Sequence, residues 1–69
     1  MKLSARNQFV GKIKELKKGP VSTEVVVDVN GTTVVSSITT GSADTLDLKV
    51  GDEVQTVIKA SNVMIAKDI

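Results

Sequence analysis

The sequence contains no cysteine, histidine, tryptophan or tyrosine, and only one proline and one phenylalanine, Phe9, among 69 residues. Without cysteine there are no disulfides, no thiolate nucleophile and no thiolate zinc site. Without histidine the usual general base near neutral pH and the commonest metal ligand are missing. No carboxylate cluster suggests calcium either, so direct coordination of a metal by side chains is not expected. One aromatic ring cannot build the stacking platform that binds single-stranded nucleic acid. No apolar run approaches the ~20 residues that span a bilayer. Lys2 leads into Ser4-Ala5-Arg6-Asn7 rather than into the apolar core of a signal peptide, so a cytoplasmic protein is expected. The length allows one domain with a modest core. With disulfides and the usual metal sites excluded, self-association is the expected source of added stability.

Net charge is only +1, but it is unevenly placed. Residues 1–20 carry Lys2, Arg6, Lys12, Lys14, Lys17 and Lys18 against Glu15. Residues 21–58 carry Lys49 against Glu24, Asp28, Asp44, Asp47, Asp52 and Glu53. The basic end reads either as a solvated strand or as part of a site for an anion.

Twelve Val, five Ile and seven Thr give a composition that favours strands, because β-branched side chains are stiff at χ1 and pack well on a pleated surface. Val21 to Val29 alternates, with Val21, Thr23, Val25, Val27 and Val29 on one face. Asn30-Gly31 follows, the dipeptide best suited to the positive φ angles of a type I′ hairpin turn. The partner strand runs over 32–40. A first strand over 8–18 is ended by Gly19-Pro20, and Gly11 within it marks a bulge or a close backbone approach. Ser42 is placed to cap a short helix through Leu46. A fourth strand over 53–60 points Val54, Thr56, Ile58 and Ala60 inward, and a fifth covers 63–66. This order predicts an all-β fold: a five-stranded, OB-like Greek-key barrel with one short helix between strands 3 and 4. An SH3-like barrel is the alternative.

Four segments could supply donors to an anion. Ser4-Ala5-Arg6-Asn7-Gln8 holds the one arginine, whose planar fork suits an oxyanion, and Ser4 shares its face if the segment is extended. Thr39-Thr40-Gly41-Ser42 joins a strand end to a helix start, where backbone N–H groups are unsatisfied. Lys59-Ala60-Ser61 ends a strand. Lys17-Lys18-Gly19-Pro20-Val21-Ser22 sets two lysines beside a turn. Each also has an ordinary reading: a tail, a helix cap, an edge lysine that discourages strand pairing, and a charged hairpin end.

In combination these segments resemble the molbindin (Mop) family of small molybdate-binding proteins. Ser4-Ala5-Arg6-Asn7-Gln8 with Gly11-Lys12 is similar to that family's N-terminal signature. Ser37-Ile38-Thr39-Thr40 and Ser42, with Leu46 and Leu48, resemble its strand-to-helix segment, and Lys59-Ala60-Ser61-Asn62-Val63-Met64 its C-terminal motif. The likeness covers essentially the whole chain as one Mop domain over 1–69. It implies a free-standing cytoplasmic protein that binds molybdate, and tungstate, for molybdenum storage or homeostasis, with no further cofactor. It implies a homohexamer, a trimer of dimers, with oxyanions at subunit interfaces. Carried onto this chain, one site uses Ser4 and Arg6 from one subunit and Thr39, Ser42, Lys59 and the Ala60 N–H from another. A second, near a threefold axis, draws on Lys18, Gly19, Val21 and Ser22. The chain departs from the family pattern at Ala60, where serine is frequent, at Asn62, where aspartate is, and at Phe9-Val10, where Leu-Lys is commoner.

Molybdate is a tetrahedral dianion whose oxygens only accept hydrogen bonds, so cations and hydroxyl or N–H donors are the groups it needs. The other readings are an OB-type nucleic-acid-binding module, supported by the basic first strand and opposed by the missing aromatics, and an enzyme, for which no constellation of residues speaks. Neither nucleic acid nor a membrane is an expected partner.

Overall fold

A computed structural model describes residues 2–69. Its elements are β1 (Asn7–Lys18), β2 (Ser22–Val29), β3 (Thr32–Thr39), α1 (Thr40–Thr45), β4 (Glu53–Ile58) and a 3-10 turn over Ala60–Asn62. The strands form one antiparallel sheet in the order β3-β2-β1-β4. The long first strand serves two partners in turn. Its first half pairs with β4, from Asn7↔Ile58 to Lys12↔Glu53, and its second half with β2, from Lys12↔Asp28 to Lys18↔Thr23.

The core follows from alternation and one interruption of it. Ile13, Val25 and Val27 are buried together, with Leu16, Val29, Ile38, Leu48 and Val54 packed around them. Ile13 and Leu16 differ by three positions, which would put them on opposite faces of a regular strand. A register shift between Ile13 and Glu15 corrects this: Ile13 pairs with Val27 and Leu16 with Val25. The extra residue, Lys14, reaches over to donate to Thr33 Oγ1 at 2.9 Å. Gly11 therefore marks the close approach, and the bulge lies just beyond it. Asn30 and Gly31 both have positive φ, 50° and 88°, as the hairpin turn requires.

Two expectations are corrected. The described residues form four strands, not five: 63–66 has no strand partner, and Met64 and Ile65 stay 93% and 89% exposed. The 3-10 turn after β4 carries the chain away from the ladder, with Asn62 N–H donating to Lys59 O and Val63 N–H to Ala60 O. The helix also starts earlier than expected. Thr39, not Ser42, is its N-cap, with the Thr39 hydroxyl accepting from Ser42 N–H at 3.1 Å.

At its other end α1 closes with paired bonds, Leu48 N–H to Ala43 O and Asp47 N–H to Asp44 O, which forces Asp47 to φ 50°. Glycine adopts that conformation without Cβ strain. Asp47→Gly is expected to stabilise the domain by about 0.5–1 kcal/mol, raising Tm by a few degrees in a thermal melt.

Candidate functional site

The donors expected from the sequence collect at two ends of β1. At its start the last ladder pair is Asn7↔Ile58, and Arg6 and Lys59 are the next residues along the two chains. Asn7 Nδ2 donates to Ile58 O at 3.2 Å, and Gln8 Nε2 turns back to Ala5 O at 2.7 Å. These two amides fix the segment that carries Ser4 and Arg6 against the end of β4. Ala60 opens the 3-10 turn, where the first N–H groups lack an internal partner. Ser4, Arg6, Lys59 and Ala60 are all exposed. Among the described residues neither Arg6 nor Lys59 has a carboxylate within ion-pairing distance. Two free cations at one sheet end are a strong attractor for a dianion.

At the other end of β1 the hairpin brings Ser22 opposite Thr39, and Thr40 N–H donates to Val21 O at 2.9 Å. Thr39, Ser42, Lys18, Gly19, Val21 and Ser22 thus share one corner. Much of its donor capacity is spent internally. Gly19 N–H goes to Ser22 O at 2.9 Å. Thr40 Oγ1 donates to Gly19 O at 2.6 Å, so the proton between the Thr40 and Thr23 hydroxyls, 2.9 Å apart, comes from Thr23. Thr39 Oγ1 donates to Ser42 Oγ at 2.8 Å. Ser42 keeps its own hydroxyl proton free of these bonds. Lys18 Nζ lies 2.7 Å from Asp44 Oδ1.

Thr23 and Thr40 carry this corner although neither was singled out as a donor to the anion. Thr23 is 2% exposed, so its hydroxyl depends on Thr40. Thr40→Val keeps the shape and strands that hydroxyl, along with Gly19 O. The expected loss is about 1–3 kcal/mol, read as a lower midpoint in urea unfolding. The inward phase of β2 pointed to Thr23; its partner depends on the hairpin register, which only the fold supplies.

The two ends are joined by β1, and the ladder brings Ser22 opposite Thr39 at one of them and Asn7 opposite Ile58 at the other. Among the described residues no group of acidic side chains could hold a metal ion, and no helix is long and apolar enough to cross a membrane.

Comparison with known proteins adds the following. Residues 3–65 match the TOBE domain. Molybdenum-pterin-binding protein 1 of Clostridium pasteurianum is 44% identical over 66 residues, covering 94% of this chain and 97% of that protein. The molybdenum transport protein ModE of Herbaspirillum seropedicae is 42% identical over 69 residues, and this chain spans only 26% of its length. A molybdate-binding protein from Sporomusa ovata superposes with a TM-score of 0.94 at 40% identity, over 97% of this chain and all of that one. The cytoplasmic molybdate-binding protein ModG, in a form with molybdate bound, superposes with a TM-score of 0.83 at 43% identity, over 87% of this chain and 43% of its own.

Proposed function

This chain belongs to the TOBE-domain family, among its small molybdenum-pterin-binding (Mop) proteins, and from that premise we propose that it captures molybdate reversibly inside the cell. The observation that carries the reading is a pair of cations at one sheet end, Arg6 and Lys59, neither with a carboxylate partner among the described residues, in a chain that nearly spans relatives named for binding molybdenum. Tungstate, a tetrahedral dianion of the same charge, is a second ligand on the same chemistry. The role is storage or homeostasis. Oxyanion oxygens are bound and released with no bond made or broken, so the protein is not an enzyme.

Each site is completed between subunits. Ser4 and Arg6 of one copy form one half, and Thr39, Ser42, Lys59 and the Ala60 N–H of another copy form the other. We read the assembly as a homohexamer, a trimer of dimers. A weaker second site falls at Lys18, Gly19, Val21 and Ser22. Because Gly19 N–H is already bonded to Ser22 O, the Lys18 ammonium is its principal donor. The order β4-β1-β2-β3, in which the fourth strand returns to lie beside the first, supports an OB-like Greek-key lineage for the sheet. A cytoplasmic location accords with ModG, described as cytoplasmic.

Native mass spectrometry with molybdate, tungstate or sulfate tests this. The expected result is a hexamer that retains several molybdates and few sulfates. A monomer that retains none overturns the reading.

A further inference from the structure

We infer that Asp44 is a built-in competitor for the oxyanion: its carboxylate holds the Lys18 ammonium in the empty protein and sets the affinity of the corner where β1 ends. This rests on the molybdate-binding reading, and in particular on its second site.

The shortest ion pair among the described residues is Lys18 Nζ to Asp44 Oδ1, at 2.7 Å. Lys17, its neighbour, is only loosely held between Glu15 and Glu24, at 3.7 Å and 3.9 Å. The position of Asp44 is fixed from both sides. Thr39 caps the helix that carries it, and the Thr40 hydroxyl and N–H tie the start of that helix to Gly19 O and Val21 O, one residue on either side of Pro20. Lys18 precedes Gly19 directly. The pair therefore closes across an anchored seam between α1 and the end of β1, not between two free tails.

The count of donors at this seam gives the pair its consequence. The Thr23, Thr39 and Thr40 hydroxyl protons and the Gly19 N–H are used internally. A tetrahedral dianion arriving there meets the Lys18 ammonium as its main donor. It also meets a fixed negative charge that already occupies one of the three Lys18 protons. Two Lys18 protons stay available, but the carboxylate offsets the ammonium's charge and repels the dianion. Both side chains are more than half exposed, so water screens the penalty to a modest factor, not a prohibitive one. Asp44 thereby makes this the site that fills last as oxyanion rises, leaving the Arg6–Lys59 sites to fill first.

The test compares two substitutions that remove the same charge. Asp44→Asn frees Lys18. Asp47→Asn removes a carboxylate that is 3.3 Å from Lys49 instead. Molybdate is titrated into each full-length assembly by calorimetry, with native mass spectrometry counting the bound anions. Asp44→Asn is expected to tighten the weaker class of sites about three- to tenfold, with Asp47→Asn within twofold of the starting protein. Adding Lys18→Gln to Asp44→Asn is expected to abolish the gain. If Asp44→Asn leaves the weaker class unchanged, or if Asp47→Asn tightens it equally, the inference is overturned while molybdate binding stands. If the unsubstituted protein takes up no molybdate, the functional reading falls and this inference with it.

Discussion

Replacing Gly11 by alanine is expected to cost the domain about 3 kcal/mol, and replacing it by valine to leave no folded protein at 25 °C. A Cβ built on Gly11 would press on Asp28 O and come within 2.8 Å of Val27 Cγ1 and 2.9 Å of Val29 Cγ2. Real Cβ atoms do not approach backbone so closely, and none of these neighbours can yield easily. Asp28 is held in the ladder opposite Lys12, and Val27 is 1% exposed in the centre of the core. Gly11 lies where β1 exchanges β4 for β2, so displacing it disturbs both pairings. A 69-residue domain has only about 3–10 kcal/mol of net stability to lose. The comparison is Gly41→Ala, where a Cβ would meet nothing within 4 Å and alanine suits the helix. Urea unfolding of the two alanine variants checks this. A Gly11→Ala midpoint equal to that of Gly41→Ala would show that the sheet bends around the added methyl.

That glycine was visible in the sequence as an anomaly in a strand, and its meaning was readable because only two explanations, a bulge or a close approach, are common. The fold supplies both in adjacent places. Other features were legible for the same reason, that local chemistry leaves few choices. Asn30-Gly31 dictates the hairpin, and the alternation of 21–29 selects Thr23, Val25 and Val27 as the inward face. Legibility ended where the outcome depends on what the chain meets later. Val63 to Ala66 has the composition of a strand, yet a strand exists only where an edge receives it, and the turn at Ala60–Asn62 leads the segment away from β4. Thr39 and Ser42 are both competent caps. The choice falls to Thr39 because Thr40 is already drawn to Gly19 and Val21, which starts the helix there. The neighbourhood of Lys59 was hidden for a related reason. Lys59 is more than fifty residues beyond Arg6 in sequence, and only the return of β4 beside the start of β1 brings their two segments to the same sheet end.

That placement underlies the largest functional effect expected. Arg6→Ala should weaken molybdate binding about 10- to 100-fold, whereas Lys12→Ala should change it by less than twofold. The two residues carry the same charge, so a general electrostatic attraction would predict similar losses. Their surroundings differ. Lys12 lies in mid-sheet with Asp28 and Glu53 as its cross-strand neighbours, so a dianion placed there would face two carboxylates. Arg6 has no carboxylate partner among the described residues, and it stands on a segment pinned by Asn7 and Gln8. A guanidinium held in place can give a tetrahedral oxyanion two directed, charge-assisted hydrogen bonds, each contributing about 1.5–3 kcal/mol where the donor is charged. The lower end of that range alone is about tenfold in affinity. Arg6→Lys keeps the charge and loses the fork, so it should fall between the other two. Arg6 is exposed and outside the core, so the thermal midpoint of the apo protein should stay within a degree or two. Calorimetric titration of the variants, alongside their melts, separates the cases. Equal losses for Arg6→Ala and Lys12→Ala would mean that molybdate is drawn by net charge and that the Arg6–Lys59 end is not its seat.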